Sequence, residues 1–436
     1  MCAIIDYMNT ETQIDVKNLV IGAGLSGLSF AFFSKNKDYL ILEQESTPGG
    51  YCRTIPNDDY VWDYAGHFYH FNVEKYKKLF TSLIQPEEIV YQKKNTKIFY
   101  GEKLIDYPFQ TNIHELEQNE FIDCLYDLYF REKDREFDNF LDMLYVKFGK
   151  SITEKFLRPY NEKLYATDLH ELDKEAMGRF FPYADMDAVM KSMKNVTEKT
   201  YNDEFLYLKK GTGYFIDRLF DQIDKNKVLF NERVLSIDRK NKIVKTESGK
   251  TIHYENLINS APFNQFIKLI DDEELNALSN ELSYNKVLVF NIGFDRPSKK
   301  FTQEHWIYFP DKTLNFYRIG FYNNILNQEK LNVYVEIGFP KNTQNINIEK
   351  EFNETIDGMR RVGIIDESTK VVDKCTLVMD PAYVHISVKN DQKVKEIFKE
   401  LEKENIYSLG RYGRWTYNCM EDCMALADDL ANKLDA

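Results

Sequence analysis

The chain has 436 residues, 43% of them hydrophobic and 29% charged; this is ordinary globular composition and argues against a mostly disordered protein. Its length exceeds the roughly 250 to 300 residues at which one core stops growing, so two or three lobes are expected. A net charge of −13 opposes general binding to nucleic acid, whose phosphates need a basic face.

The opening MCAIIDYMNTETQ carries acids where an export signal needs Lys or Arg, and no apolar run approaches the ~18 residues of a membrane span. No export, no membrane and a cytoplasmic location are therefore expected. The cysteines Cys2, Cys52, Cys124, Cys375, Cys419 and Cys423 are scattered without a CxxC, which suggests neither a metal site nor a disulfide framework and fits a reducing compartment. The 29 Tyr and 31 Phe serve either core packing or a cleft for a planar or sugar-bearing ligand.

In chain order, residues 16–43 read as strand, glycine turn, helix and strand, with apolar Leu19 to Ile21 and Tyr39 to Leu42 flanking the helical stretch. Gly22, Gly24 and Gly27 form GAGLSG at the first junction. The first serves a tight turn, the second close approach of a pyrophosphate, and the third helix packing. Glu43 ends the second strand, where a carboxylate can accept from ribose hydroxyls. Strand, glycines, helix, strand and acid in register predict a dinucleotide-binding βαβ unit.

Residues 111–200 hold few glycines, and FIDCLYDLYF and FLDMLYVKF carry helical spacing, so a helical lobe is expected. Residues 226–262 alternate in short runs with Asn-Lys and Ser-Gly turns, predicting strands that return to the first lobe. From about 284 to 388, runs such as KVLVFNIGF and LNVYVEIGF predict a mostly antiparallel sheet with an amphipathic helix around 348–362. Residues 391–436 read as helix, short strand, turn and helix. The expected fold is α/β: a Rossmann-like domain from 1–80, 205–275 and 391–436, a helical lobe at 111–204, and an antiparallel-sheet substrate lobe from 81–110 and 276–390.

After Glu43 the chain continues QESTPGGYCRT, which resembles the second glycine-rich stretch of the amine-oxidase-like flavoproteins. The resemblance implies FAD, with Gly49, Gly50, Arg53 and Thr54 beside the pyrophosphate and ribityl chain, and Val234 in NERV meeting adenine.

Further motifs resemble UDP-galactopyranose mutase and its nucleotide-sugar mutase relatives. Tyr64 to His70 (YAGHFYH) stand where that family has Y-G-P-H-x-F-H, so His67 would lie against the flavin; Gly66 replaces the proline. RPYNEKLYA resembles the Y-T-x-K-Q-W segment, which implies that Tyr160 and Tyr165 stack on base and sugar, with Tyr165 in place of tryptophan. Core packing is the other use of both rings. YLKKGTGYF places Gly211 and Gly213 at the flavin cleft. Arg318 in NFYRIGFY would hold pyrophosphate, with Arg179 a less well aligned second arginine. GRYGRWTYNCMED resembles the family's carboxy-terminal motif. It implies a flavin-side Arg411, a phosphate-binding Tyr417, and Met420 and Glu421 in a flavin-binding turn; Trp415 and Cys419 depart from the pattern.

The activity implied is an isomerase supplying surface-polysaccharide synthesis, interconverting pyranose and furanose forms of a UDP-galactose-like sugar. Reduced FAD would attack the anomeric carbon through N5, with His67, Arg318 and Tyr417 as the catalytic group. The implied partners are a nucleotide-sugar substrate, an external reductant such as NAD(P)H and a second copy of the chain. The competing expectation is an FAD oxidase or dehydrogenase of the amine-oxidase or protoporphyrinogen-oxidase type, which shares the first fifty residues.

Overall fold

A computed structural model describes residues 13–178, 181–194, 203–387 and 389–436. They form two compact units, one drawn from Met1–Gly50, Ile216–Leu282 and Gln392–Ala436, the other from Tyr51–Phe215 and Ser283–Asp391.

The first unit is a Rossmann-like sheet. Across it run Val234–Asp238, Ile243–Thr246, Thr251–Asn259, Gln13–Ile21, Tyr39–Leu42 and Val228–Leu229. The last four are mutually parallel, and the first two add an antiparallel edge. Leu19, Val20, Ile41 and Leu42 are essentially inaccessible, as expected where helices cover both faces of a parallel sheet. Helix Leu25–Phe33, apolar almost all round, is buried from Leu25 to Ala31 and packs against Met420–Asp435. Strand Thr251–Asn259 divides one edge between two partners: its first residues pair with Ile243–Lys245, and Leu257 to Asn259 pair in parallel with Ile406–Ser408.

The second unit holds a seven-stranded sheet in the order Val371–Met379, Asn285–Phe294, Asn332–Pro340, Arg318–Phe321, Trp306–Tyr308, Thr96–Tyr100 and Lys103–Asp106. Every pairing is antiparallel except that of Trp306–Tyr308 with Thr96–Ile98. Side chains alternate between the faces of a strand, and this sheet uses the alternation to separate packing from chemistry. Leu288, Phe290, Ile292, Ile307, Ile319, Phe321, Val333, Val335 and Ile337 share one core with Met359 and Val362 of helix Ile348–Val362. Their neighbours in sequence, Trp306, Tyr308, Arg318, Gly320, Tyr334 and Glu336, point to the opposite face.

The predicted helical stretch forms Gln118–Phe130, Phe140–Ile152, a π-turn Thr153–Leu157 and Arg158–Tyr165. Asn139 caps the second of these by accepting from Asp142 N at 2.9 Å, and Ala166, at φ 51°, ends the last. These helices share a core with Ile98, Phe109 and Tyr317, inside the same compact unit as the antiparallel sheet.

Candidate functional site

In the first unit, Gly22 turns the chain at φ +98°, and a Cβ there would lie 2.6 Å from Ser260 Oγ. At Gly27 a Cβ would meet the Gly22 carbonyl oxygen at 2.1 Å, so only glycine lets the helix close on the turn. Gly24 is different: a Cβ would meet no atom of the described residues within 4 Å. The open ground above Gly24 is at the amino end of helix Leu25–Phe33, where N–H groups favour an anion.

The second glycine stretch meets the first. Gly49 N donates to Ala23 O at 2.8 Å, Gly24 and Gly49 form a bridge, and a Gly50 Cβ would approach Gly24 Cα at 3.6 Å. Glu43 is buried; Oε2 accepts from Ala23 N at 2.7 Å and Oε1 from Glu45 N at 2.9 Å. A carboxylate oxygen has two acceptor positions, so the ribose role expected of Glu43 is compatible with these bonds. Val234 is buried at the start of its strand.

The C-terminal motif lies in the same unit. The Arg411 guanidinium sits 4.1 Å over the Tyr417 ring. Helix Met420–Asp435 begins with a capping box in which Cys419 N donates to Asp422 Oδ2 at 2.9 Å. Glu421 is buried. The Cys423 thiol, pushed up to about 11 by burial, interacts with the Ser26 hydroxyl, and a Cβ at Gly410 would strike Ser26 Oγ at 2.2 Å. The first turns of the two helices are therefore side by side.

The remaining candidates belong to the second unit. The Thr54 hydroxyl donates to Asp63 Oδ1 and accepts from Gly213 N at 2.8 Å. Asp63 Oδ2 accepts from Tyr207 OH at 2.7 Å and Thr212 N at 3.1 Å. Thr212 Oγ1 donates to the His67 carbonyl at 2.6 Å. A Cβ at Gly211 would lie 2.4 Å from Thr54 Oγ1. One fully buried carboxylate thus ties together Thr54, the Gly211–Gly213 turn and the His67 loop; burial holds its pKa above the ordinary aspartate value despite the hydrogen bonds that lower it. Arg53 Nη2 donates to Tyr64 OH at 3.2 Å.

Arg318 stands on the chemistry-bearing face of the sheet. Its Nη2 is 2.5 Å from Glu336 Oε1, their side chains 18% and 1% exposed. Burial opposes its charge, but Glu336 and the phenols of Tyr383, Tyr334 and Tyr308 outweigh that and hold its pKa well above the usual range. The Tyr334 ring is 5.9 Å from the guanidinium carbon. Tyr160 stacks on Phe156 at 5.3 Å and meets Tyr308 edge-on at 5.0 Å, its phenol pKa raised by burial and by neighbouring phenols although Arg318 opposes the rise. A Cβ at Gly66 would lie 2.3 Å from Tyr334 OH, so the glycine that replaces the proline of the resembled loop makes room for this ring. Arg318, Tyr160 and the His67 loop thereby come to one place.

Tyr165 adjoins that cluster through Tyr383, a neighbour of Arg318. It is fully buried among Phe140, Tyr383 and His385, where its ring packs the core. Arg179 lies outside the described residues.

Asp63, Tyr334 and Glu336 were not singled out from sequence. The available signal was a single acid inside an apolar strand, VYVEIGF and YVWDY, since a buried charge requires partners.

With this geometry in place, the fold class is Rossmann-like α/β, and residues 20–83 match the model of NAD(P)-binding Rossmann-like domains. The chain has the fold of UDP-galactopyranose mutase: it is similar to a crystal structure of the reduced enzyme with a TM-score of 0.89 and 22% identity, covering 96% of this chain and 93% of that one. A putative protoporphyrinogen oxidase from an Exiguobacterium species is similar at TM-score 0.76 and 16% identity, over 97% and 99% of the two chains. A redesigned putrescine oxidase is similar at TM-score 0.65 and 10% identity, over 97% and 99%.

Proposed function

We propose that this chain is an FAD-dependent nucleotide-sugar mutase that interconverts pyranose and furanose forms of a nucleoside-diphosphate hexose. The observation that carries the reading is the cluster around Arg318: a buried guanidinium with aromatic faces and phenol hydroxyls, in a chain with the fold of UDP-galactopyranose mutase. An aromatic wall suits a base and the C–H face of a sugar, while guanidinium and phenols suit its polar edge.

The first unit fits the cofactor's dinucleotide half. Gly24 leaves space for a pyrophosphate, helix Leu25–Phe33 turns its amino end to it, and Glu43 and Val234 are set for ribose and adenine. Arg53, Thr54, Gly211, Gly213, Arg411 and Met420 are the further residues that would hold it. When bound and reduced, FAD supplies the electron-rich centre that exchanges with the nucleoside diphosphate at the anomeric carbon.

The chain's own part is positioning. Asp63 holds Thr54 and, through Thr212, the backbone carbonyl of His67; His67 places the flavin or a sugar hydroxyl. Arg318 and Tyr160 bind the substrate, Tyr417 backed by Arg411 takes phosphate, and fully buried Tyr165 acts by shaping the helical core. Arg179 is the candidate second arginine. The reading includes a cytoplasmic setting, NAD(P)H as reductant and a homodimer.

The test is to reduce the purified protein anaerobically with dithionite and incubate it with a panel of UDP- and dTDP-hexoses. The expected product is an isomer of unchanged mass that forms only after reduction. Oxygen-driven turnover of a reducing substrate, with no isomer from any sugar, would replace this reading with the oxidase.

A further inference from the structure

Lys163 follows Tyr160 by three residues in helix Arg158–Tyr165, one turn along the same side. An ammonium has three N–H donors, and here all three go to backbone carbonyls: Phe309 O and Asp311 O, each at 2.8 Å, and Phe316 O. The three acceptors belong to the connection, residues 309–317, that joins strand Trp306–Tyr308 to strand Arg318–Phe321. Tyr308 and Arg318 are the last residues paired on that ladder, and one bond beyond them, from Phe309 N to Tyr317 O at 2.9 Å, closes it. Lys163 therefore spans both arms of the connection directly behind the pair whose Tyr308 meets Tyr160.

The helix itself is fixed to the sheet. A Cβ at Gly338 would lie 2.3 Å from Lys163 O, so the helix backbone rests on strand Asn332–Pro340. Leu164 O accepts from Asn285 Nδ2, and Tyr165 O lies 2.9 Å from His385 Nε2. To this fixed end the connection is drawn by Lys163 and by Lys312, whose exposed ammonium reaches Glu162. An exposed pair contributes little; the buried ammonium of Lys163 makes the tie.

Burial lowers the Lys163 pKa to about 7; Asp311 of the connection opposes the shift, and Arg361 of helix Ile348–Val362 adds to it. Of the other charged groups on the packed elements, Glu162 is held by Arg158 and Lys312, Glu154 by Arg158, Lys155 by Glu120, and Glu336 by Arg318. The turn Leu169–Glu171 brings exposed His170 and Glu171. A neutral amine donates two bonds where the ammonium donates three, so loss of the proton leaves one carbonyl of the connection without its donor.

We propose that Lys163 is a positioning residue of the substrate site: its ammonium ties the helix of Tyr160 to the connection behind Tyr308 and Arg318, and so sets the spacing of the groups that bind the nucleotide sugar. This deepens the nucleotide-sugar reading and rests on it. Affinity for substrate then depends on the Lys163 proton, high below neutrality and lower above it, because the protonated form is the one that completes the site.

The test is calorimetric titration of the FAD-loaded protein with UDP-galactose, whose diphosphate stays fully ionised between about pH 6 and about pH 8. Across that range the wild-type dissociation constant should rise about threefold to tenfold. Lys163→Met keeps the stem and loses the donors; it should bind about tenfold more weakly than wild type at the lower pH, show no dependence on pH, and retain its flavin. Lys163→Arg keeps a cation that does not titrate here, so its profile should also be flat, which carries the test if Lys163→Met does not fold.

A flat wild-type profile overturns the proposal, as does a slope that persists in either variant, or wild-type affinity in Lys163→Met at the lower pH. Loss of flavin in proportion to loss of UDP-galactose also counts against it, since a merely structural lysine would weaken both together. A protein that forms an isomer in the mutase assay while its affinity ignores Lys163 keeps the function and loses this inference alone. A wild type that binds no nucleotide sugar and forms no isomer loses both.

Discussion

Glu43 Oε2 accepts the backbone N–H of Ala23 at 2.7 Å, so the acid that ends the second strand also clamps the glycine turn after the first. Ala23 is fully buried, and Glu43→Ala would leave its N–H without that partner. The expected cost is about 1–3 kcal/mol of stability, together with loss of retained flavin. Denaturant unfolding and the absorbance of the purified protein read the two effects. A variant of wild-type stability would show that the clamp contributes nothing.

Gly24→Ala should separate folding from cofactor binding. The backbone at Gly24 has φ −72°, which alanine adopts freely, and no atom of the described residues lies within 4 Å of the new methyl. Stability of the flavin-free protein should stay within about 0.5 kcal/mol of wild type, while flavin affinity falls at least severalfold because the methyl occupies the pyrophosphate's approach. By contrast Gly27→Ala, whose Cβ collides with the Gly22 carbonyl, should lose both. Matched flavin titrations and melts of the two variants decide the matter.

Asp63 gives a pH dependence with a definite sign. Burial, partly offset by its hydrogen bonds, raises its folded pKa above the ordinary aspartate value, so between those two values the folded protein holds a proton that the unfolded chain has released. Its contribution to stability therefore falls as pH rises through that window and is constant above it. Asp63→Asn, which cannot ionise, should gain relative to wild type as pH is raised from about 4 to about 7. Chemical denaturation at both pH values measures this, and parallel behaviour of the two proteins would rule it out.

Arg318→Met leaves Glu336 buried without its cation and should cost about 3–5 kcal/mol. Adding Glu336→Gln to that variant should recover most of the loss, because the uncompensated charge is then gone. A double-mutant cycle by denaturant unfolding reads the coupling, and additive effects would mean that the two side chains do not share the burial described.

The sequence made some of this architecture readable and concealed the rest for physical reasons. GAGLSG was legible because glycine at 22 and 27 is sterically required and the flanking strands are continuous apolar runs. The helix expected around 348–362 is Ile348–Val362, since one apolar stripe facing one core leaves a strong 3.6-residue period. Glu336 was not legible: alternation in VYVEIGF separates two faces, but it does not say whether the polar-bearing face meets water or a second layer. Here it meets a helical layer, whose Tyr160 packs on Tyr308 of the sheet. Asp63 was concealed likewise, as its partners Thr54, Tyr207 and Thr212 lie 9, 144 and 149 residues away.

The divided edge of strand Thr251–Asn259 sets an order of events on the ribosome. Both segments of the second unit, ending at Asp391, are translated before Gln392–Ala436. Until that last segment emerges, Leu257 to Asn259 have no Ile406–Ser408 beside them, and helix Leu25–Phe33 has no Met420–Asp435 to pack on. The glycine turn, made before all of these partners, is thus among the last parts to be fully supported. A nascent chain can complete its antiparallel half while its Rossmann-like half waits, and premature termination within Gln392–Ala436 should leave the first unit open and exposed to proteases.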